Sequence, residues 1–316
     1  MQEDAYATLR DNFENYFKAT ISPLLKNDEK LRKTYLSRFW LFVLLAAFAI
    51  PVCIIGIYVA NHLFEKNINE GLVFFVAAFF AYLIYSPYKA FKKKVQNNVM
   101  QPFARFFEGF SYRPEKPLPK EHILKSKIFT SFQNVAAKDC FSGTYSGFGV
   151  QICEQSLTNV RQSSKKTRQI TVFQGIIIAL ELNKKLSAQT LVLKNSGLFG
   201  LFQHLDGFLK IKLDNAAFNS VFDVYTTSEN EARHLLTPLF LESLLDLKQA
   251  LKGKSLQASF FENNVLIFVE TKLDMFEPYR FFSSNINKAK INAAFERFLA
   301  IFQAIDAVKT NRKLGF

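Results

Sequence analysis

Two long stretches without a charged residue dominate the N-terminal part of the chain. The first, Leu41 to Ala60, reads LFVLLAAFAIPVCIIGIYVA, and the second, Gly71 to Tyr88, reads GLVFFVAAFFAYLIYSPY. An α-helix needs about 20 apolar residues to cross roughly 30 Å of hydrocarbon. Buried core helices of a soluble protein are the alternative, but two such runs so close together are unusual there. We therefore predict transmembrane helices at 39–60 and 71–88, joined by a short external loop at 61–70.

Amphipathic segments flank this hairpin on both sides. Residues 1–38 carry apolar side chains such as Phe13 at helical spacing, and residues 89–110 repeat the pattern with Phe103. Such a pattern is typical of a helix with one apolar face. The sequence predicts one amphipathic helix on each side. The two helices either pack on each other or lie flat on the lipid surface.

A change of composition after the second amphipathic segment marks a domain boundary. Residues 111–121, SYRPEKPLPKE, hold three prolines and several charges. This composition is typical of a stiff, solvated linker. We assign residues 122–316 to a separate C-terminal domain.

The C-terminal domain alternates apolar and polar residues as strands do. Six segments have this pattern: Phe141 to Ser146, Val150 to Val160, Ile170 to Leu182, Thr190 to Leu193, Phe208 to Leu213 and Val221 to Thr226. Asn263 and Asn264, between two further β-prone runs, predict a tight hairpin turn.

Helices are predicted late in this domain. Ser228 and Glu231 have the spacing of a capping box, and the helical pattern that follows breaks at Pro238 and stops at Gly253. A final amphipathic helix is predicted from Asn287 to Val308. Hairpin-joined strands followed by helices predict an α+β domain with a mainly antiparallel sheet. A strongly bent sheet closed by the last helix, as in pleckstrin-homology-like folds, is a conjecture from element order alone.

The distribution of charge orients the hairpin. The chain holds 40 Lys and Arg against 27 Asp and Glu, a net charge of +13. Cytoplasmic flanks of membrane spans are enriched in Lys and Arg, so both termini are predicted to be cytoplasmic. The basic residues predicted to fix this topology and to contact anionic lipid head groups are Lys30, Arg32, Lys33, Arg38, Lys89, Lys92, Lys93 and Lys94.

The three cysteines agree with a reducing compartment. Cys53 lies in the first apolar run, and Cys140 and Cys153 lie in the C-terminal domain. They form no CxxC pair and no even set spaced like a disulfide framework. We therefore predict reduced cysteines, with those on strands acting as small core residues.

Motifs of known catalytic chemistry are absent from the sequence. No phosphate-binding GxxxxGK[ST] loop, GxSxG elbow or HExxH pair occurs. The four histidines have no metal-ligand spacing, and neither apolar run contains a charged residue or a histidine. Asp274 and Glu277 could be paired carboxylates for acid-base chemistry, but local capping or a salt bridge is the favoured interpretation. The sequence therefore assigns no catalytic residue, no metal ligand and no cofactor.

One basic cluster lies at a predicted hairpin tip. It consists of Arg161, Lys165, Lys166 and Arg168. These side chains could contact phosphates of lipid or nucleic acid. A solvated hairpin end is favoured, because no aromatic residues interleave with the charges.

Several longer motifs resemble one known family. VYTTSENEARHLLTPLFLESLLDL, FFENNVLIFVE and DMFEP together are similar to an uncharacterised bacterial family of two-span membrane proteins, the domain of unknown function DUF3137. The similarity extends back through FSGTYSGFGVQICE, FQGIIIALELNKK and the two spans. The resemblance implies a two-span anchor and a cytoplasmic α+β domain in a bacterium. It implies no activity, so no catalytic residue is carried over.

These observations favour a bacterial inner-membrane protein whose cytoplasmic domain binds a protein or the membrane surface without catalysis. A membrane-tethered enzyme of unrecognised type is the alternative, and a deep pocket with convergent polar groups would favour it. A small transporter is less well supported, because the apolar runs lack charged groups. No nucleic-acid partner is expected, since a position at the inner leaflet explains the basic residues. The oligomeric state is not specified.

Overall fold

Two units share this chain discontinuously. The first combines Met1–Phe103 with Glu277–Lys290, and the second combines Ala104–Phe276 with Ile291–Phe316. The computed structural model describes residues 2–63, 71–163, 166–195, 205–272, 274–277, 279–284 and 288–309. Most of the predicted external loop at 61–70 lies outside the described residues.

Long helices build the first unit. They are α1 (Gln2–Tyr16), a single π-helical turn (Phe17–Ile21), α2 (Ser22–Leu63) and α3 (Gly71–Phe106), whose last turn enters the second unit. Each apolar run is continuous with its amphipathic flank, so α2 and α3 are longer than the predicted spans. Pro51 lies inside α2, where it removes one backbone hydrogen bond without ending the helix.

The amphipathic flanks pack on each other within the first unit. The rings of Phe13 and Phe103 meet edge to face with centroids 5.9 Å apart, and the Tyr16 hydroxyl donates to the Pro102 carbonyl at 3.0 Å. Phe17 and Ile21 are buried. The predicted packing is therefore confirmed. The alternative of two helices lying flat on lipid is wrong, because their apolar faces are covered by protein.

A single antiparallel sheet forms the centre of the second unit. Its described strands are β1 (Ser111–Tyr112), β2 (Asn134–Tyr145), β3 (Phe148–Ser163), β4 (Lys166–Glu181), β5 (Thr190–Lys194), β6 (Leu209–Ile211), β7 (Phe222–Thr226), β8 (Ser255–Phe261) and β9 (Asn264–Glu270). Their order is β1-β2-β3-β4-β9-β8-β5-β7-β6. The described helices after α3 are α4 (Lys120–Lys125), α5 (Ala216–Val221), α6 (Glu229–Leu235), α7 (Pro238–Ala250) and α8 (Lys288–Lys309). The antiparallel sheet and the final helix are confirmed, while the pleckstrin-homology-like bend stays a prediction.

Part of the predicted linker belongs to the sheet. Ser111 and Tyr112 pair with Ser142 and Phe141 of β2. β2 itself begins at Asn134, well before its predicted start, because it pairs with β3 along a stretch whose own composition is weakly β-prone. Pairing between strands thus extends the sheet beyond what local pattern indicates.

Tight turns fix the register of the long hairpins. Ser146 and Gly147 have φ angles of 53° and 86°, which is the geometry of a type I′ turn between β2 and β3. At the β8–β9 hairpin Phe261 pairs with Asn264, so the turn consists of Glu262 and Asn263. The predicted turn at Asn263 and Asn264 is therefore displaced by one residue.

The helix starts are only partly as predicted. Pro238 occupies the first turn of α7, and the Thr237 hydroxyl caps it by accepting from the Phe240 N–H at 3.4 Å. The predicted capping box is wrong, because the Ser228 side chain makes no capping bond and Glu231 accepts from the Ser187 N–H at 3.0 Å instead.

Both faces of the sheet are covered within the second unit. On one face α8 packs its apolar stripe, with Phe298 4.8 Å from Phe141 between ring centroids and Phe302 stacked on Tyr145 at 4.0 Å. On the other face Ile123 of α4 belongs to a core that includes Ile177. The predicted stripe of the last helix is confirmed.

The predicted core position of the strand cysteines is confirmed, because Cys140 and Cys153 are 2% and 0% exposed, but the two residues are not separate thiols in the structure. Cys140 and Cys153 are direct partners in the β2–β3 ladder, with Cα atoms 4.2 Å apart, and the structure joins them as a disulfide. Their spacing in the sequence matches no disulfide framework, and only the register of the two strands brings them together. Cys53 is a free cysteine.

Candidate functional site

Basic side chains surround the ends of both apolar runs in the first unit. Of the predicted set, Lys30, Lys33, Arg38, Lys89, Lys93 and Lys94 are exposed. Long side chains of this kind can cover apolar surface with their stems while the charge reaches a head group. These six charges are therefore accessible, and their role at a membrane surface stays a prediction.

Arg32 and Lys92 have structural partners instead. Arg32 is buried, donates to the Glu29 carboxylate at 2.7 and 2.9 Å, and donates from Nη1 to the Phe281 carbonyl at 3.2 Å. The hydrogen bond with Glu29 raises the pKa of Arg32. Lys92 Nζ lies 3.3 Å from the Glu277 carboxylate. Both cations hold residues that lie far away in the sequence.

A short segment between β9 and α8 forms part of the helical unit. We call residues 279–284 the Phe281 segment. The Tyr279 hydroxyl donates to the Lys92 carbonyl at 2.7 Å and to Gln96 Oε1 at 3.2 Å. The Phe281 ring is buried against the rings of Phe39, Tyr88 and Phe91, with centroids 5.8, 5.5 and 5.3 Å away. The segment is thus fixed between α2 and α3.

A buried carboxyl, that of Asp28, lies about one helical turn before Arg32 in α2. Asp28 of α2 is 1% exposed and accepts from Asn98 Nδ2 of α3 at 3.1 Å. Burial raises the pKa of Asp28, although the Asn98 hydrogen bond and the charge of Lys94 act in the opposite direction. Desolvation therefore favours the neutral form of this group.

Three carboxylates converge in the second unit. Ligand atoms of Asp139, Glu154 and Asp274 all lie within 4.8 Å of one another. Carboxylate oxygens are suitable ligands for Ca²⁺ or Mg²⁺. However, Lys138 is paired with Asp274, and the Tyr112 hydroxyl donates to Asp139 at 2.5 Å.

A second cation completes this cluster from α8. Arg297 Nη1 donates to the Met275 carbonyl at 2.5 Å, and the Met275 N–H donates to Glu154 at 3.2 Å. Burial lowers the pKa of Arg297, and the charge of Glu154 opposes that shift. We interpret the cluster as an ion-pair network that ties β2, β3 and α8 together.

Asp274 and Glu277 have different salt-bridge partners. Asp274 is paired with Lys138, whereas Glu277 is paired with Lys92. A salt bridge was predicted with Arg280 close by in the sequence, whereas the structure gives each carboxylate a lysine from a distant part of the chain.

A surface cleft of about 600 Å³ lies beside α6. Ser187 donates to the Glu231 carboxylate from both its N–H and its hydroxyl. The cleft is lined by Lys184, Lys185, Leu186, Ser187, Ser228, Asn230, Glu231, His234 and Leu235. These groups could contact an anionic or polar ligand.

The predicted basic hairpin tip ends a long two-stranded arm. β2 pairs with β3 as far as Thr158, and β9 pairs with β4 from Gly175 onward. Past these points β3 and β4 pair with each other, which places Arg161 directly opposite Arg168. Both arginines are exposed. Lys165 lies outside the described residues, and of Lys166 only the backbone is described.

Residues 171–310 match the model of a family described as a protein of unknown function, DUF3137. The predicted resemblance is thereby confirmed from β4 to α8, a stretch that includes the Phe281 segment. The two apolar runs lie outside the matched residues.

One solved structure is similar to part of the chain. It is the crystal structure of the mycobacterial trehalose monomycolate transport factor A, TtfA, at 14% sequence identity and a TM-score of 0.37. The similarity covers 66% of this chain and 92% of that one. No curated protein matches the sequence.

Sequence reasoning missed the Phe281 segment as a part of the helical unit. Its signal is the aromatic cluster in EPYRFF, a stretch that follows the last strand without continuing its alternation. An apolar stretch in a polar connection indicates a docking element, but its partner helices are more than 180 residues away in the sequence.

Proposed function

We propose that this chain is a bacterial inner-membrane protein, anchored by α2 and α3 with both termini in the cytoplasm. The observation that carries the proposal is the exposure of large apolar side chains along both uncharged runs. Phe48 and Val52 of α2 are 73% and 67% exposed, and Phe74 of α3 is 79% exposed. Both helices are long and apolar enough to cross a membrane. Contact with the hydrocarbon of a bilayer is favourable for this apolar surface, whereas contact with water is not.

The basic flanks support the orientation. Lys89, Lys93 and Lys94 follow the second run, and Arg38 precedes the first. Anionic lipids of the inner leaflet attract such residues by about 1 kcal/mol each near the surface. Anionic phospholipid is therefore a proposed partner of this region.

Fusions test the topology. We expect a green fluorescent protein fused after residue 316 to fluoresce, and alkaline phosphatase at the same place to be inactive. Phosphatase inserted between residues 61 and 70 is expected to be active. Active phosphatase after residue 316 would contradict the proposed orientation.

The disulfide is the observation that favours the opposite orientation, because disulfides persist mainly in oxidising compartments. In the proposed orientation Cys140 and Cys153 are reduced thiols in the living cell. They form the disulfide when the protein is exposed to an oxidant. Alkylation of intact cells, quenched with acid before lysis, is expected to label both cysteines after denaturation without reductant. Labelling only after reduction would place the sheet in an oxidising compartment.

We further propose that the second unit is a binding module rather than an enzyme. Its arm offers a surface for a partner: Val160 and Ile170 are 39% and 43% exposed, beside Arg161 and Arg168. Like charges directly opposite each other on paired strands are destabilising. An acidic partner surface would relieve that repulsion.

Matched charge reversals test this role. We expect the full chain, solubilised from membranes and affinity-captured, to retain an acidic protein partner that the Arg161→Glu/Arg168→Glu variant loses. The control Lys184→Glu/Lys185→Glu reverses the same number of charges at the cleft. It is expected to retain the acidic partner. Equal capture by the arm variant, or loss only in the control, would contradict the arm as the binding surface.

A further inference from the structure

The Phe281 segment lies where both apolar runs end. Phe281 contacts Phe39, which directly precedes Trp40 and the first uncharged run, and Tyr88, which ends the second run. The segment is therefore level with the boundary between the apolar and the basic parts of α2 and α3.

The segment is held firmly in this place. Arg32 donates to the Phe281 carbonyl at 3.2 Å, Tyr279 donates to the Lys92 carbonyl at 2.7 Å, and Lys290 Nζ donates to the Tyr279 carbonyl at 3.1 Å. Three side chains from α2, α8 and the segment itself thus fix its backbone. Phe281 is buried by this arrangement, whereas the next residue is not.

Phe282 points away from the protein. Its ring is 64% exposed, although it touches Phe39 and Phe281 edge to face at centroid distances of 5.4 and 5.1 Å. Trp40 is 54% exposed and lies 5.5 Å from the Phe39 ring. Together, Phe282, Phe39 and Trp40 form a group of aromatic side chains beside the apolar runs.

We infer that the Phe281 segment is a third membrane contact, in which Phe282 enters the interface of the leaflet that faces the N-terminus. This inference rests on the proposed spans. Tyr and Trp side chains gather at the level of lipid head groups, and an exposed Phe beside them adds apolar surface that the boundary with the acyl chains covers. Arg38 and Lys89, both exposed, directly precede or follow the aromatic residues Phe39 and Tyr88 and match an anionic head group. The occupant of this surface is therefore a phospholipid bilayer.

The proposed contact lies between two stretches of chain that both belong to the second unit. β9 ends at Glu270 and α8 begins at Lys288, so the segment lies within the connection between the last strand and the last helix. Interfacial side chains reach about 5–10 Å into the boundary between head groups and acyl chains.

A single tryptophan makes the inference testable by fluorescence. Trp40 is the one Trp of the chain, so Trp40→Phe/Phe282→Trp moves the probe to the segment. The variant, reconstituted as the full chain, is compared in vesicles whose acyl chains carry bromine near the head group or near the terminal methyl. We expect strong quenching by the shallow bromines and weaker quenching by the deep ones.

Two controls separate this inference from the proposed spans. Wild-type Trp40 reports on α2 itself and is expected to be quenched. Trp40→Phe/Leu239→Trp carries the probe on α7, where Leu239 is 50% exposed, and is expected not to be quenched. An unquenched probe at residue 282 with quenched Trp40 overturns the third contact and leaves the spans intact. An unquenched Trp40 overturns the proposed spans.

A second variant guards against misfolding of the tryptophan variant. Phe282→Ser removes an exposed ring and leaves the buried Phe281 in place. We expect it to weaken shallow quenching of Trp40, because the neighbouring contact no longer holds the leaflet close. Unchanged quenching of Trp40 in Phe282→Ser, together with an unquenched probe at residue 282, excludes the contact.

Discussion

At the scale of single residues, Asp28 is expected to make stability depend on pH. Burial raises its pKa, so the folded state binds the proton more tightly than the unfolded state does. The stability that Asp28 contributes is therefore greatest below the ordinary aspartate pKa of about 3.9 and is lost as the pH rises through the folded pKa. Asp28→Asn keeps an acceptor for Asn98 and removes this dependence. We expect the variant to match the wild type in acid and to be more stable at neutral pH.

Unfolding of the full chain in detergent, followed by circular dichroism at several pH values, measures the Asp28 effect. Asp11→Asn, an exposed aspartate on α1, is the control and is expected to change stability little at any pH. A wild type more stable than Asp28→Asn at neutral pH would show that the buried carboxylate is stabilised by its partners instead.

Gly175 is a residue whose identity the sheet requires. A Cβ at this position would lie 2.0 Å from the Val269 carbonyl oxygen and 2.9 Å from the Thr271 N–H nitrogen. Both are backbone atoms of β9 or of the residue that follows it, so they can move only by disturbing the β4–β9 ladder. Gly175→Ala is expected to cost about 1–3 kcal/mol, the usual range for overpacking.

Chemical unfolding of Gly175→Ala measures that loss of stability. The control is Gly149→Ala on β3, where the nearest side-chain atoms lie at 3.4 Å and the contact is ordinary. Equal stability of the two variants would show that β4 and β9 separate easily at the base of the arm.

At the scale of elements, the disulfide is expected to stabilise the β2–β3 hairpin. Cys140 and Cys153 are 13 residues apart. Closing a loop of about 15 residues contributes about 3 kcal/mol by restricting the unfolded chain. In protein purified in air, a reductant is therefore expected to lower the unfolding temperature. In Cys53→Ser the reductant should lower the unfolding temperature by the same amount. In Cys140→Ser/Cys153→Ser it should leave the unfolding temperature unchanged. An unfolding temperature that reductant leaves unchanged in the wild type contradicts the bond.

Periodic elements could be predicted from the sequence, and elements defined by pairing could not. The stripe of α8 and the β-prone run of β4 depend on local patterns, and both elements are found. β1 consists of Ser111 and Tyr112 inside a proline-rich stretch, and it exists because β2 offers a free edge. The Cys140 and Cys153 bond depends on strand register, which in turn depends on the turn at Ser146 and Gly147. A register is a property of two strands together, so one-residue shifts are not visible in either strand alone.

At the scale of the whole molecule, the discontinuous first unit is the feature that the sequence did not indicate. Residues 277–290 belong to it although the chain on both sides belongs to the second unit. The contact between Arg32 and the Phe281 carbonyl joins residues 249 positions apart. Neither charge pattern nor periodicity carries such long-range information. Residues 277–290 were therefore predicted as part of the C-terminal domain, together with the rest of residues 122–316.

This arrangement predicts how an isolated C-terminal fragment behaves. A fragment of residues 114–316 begins inside the predicted linker, so it lacks β1 and the helices that bury Phe281. Tyr112, whose hydroxyl binds the buried Asp139, is lost with β1. We expect this fragment to aggregate and to bind a hydrophobic dye, because an apolar segment and a sheet edge are uncovered.

One longer fragment, with and without two substitutions, separates these causes. Residues 104–316 restore β1 and should unfold at a higher temperature than residues 114–316, while still binding the dye. The same fragment with Phe281→Ser/Phe282→Ser removes the uncovered rings and is expected to stay monomeric in size-exclusion chromatography. Residues 114–316 could instead be as soluble and as stable as residues 104–316 with and without the two substitutions. The helices of the first unit are then not needed to cover the Phe281 segment.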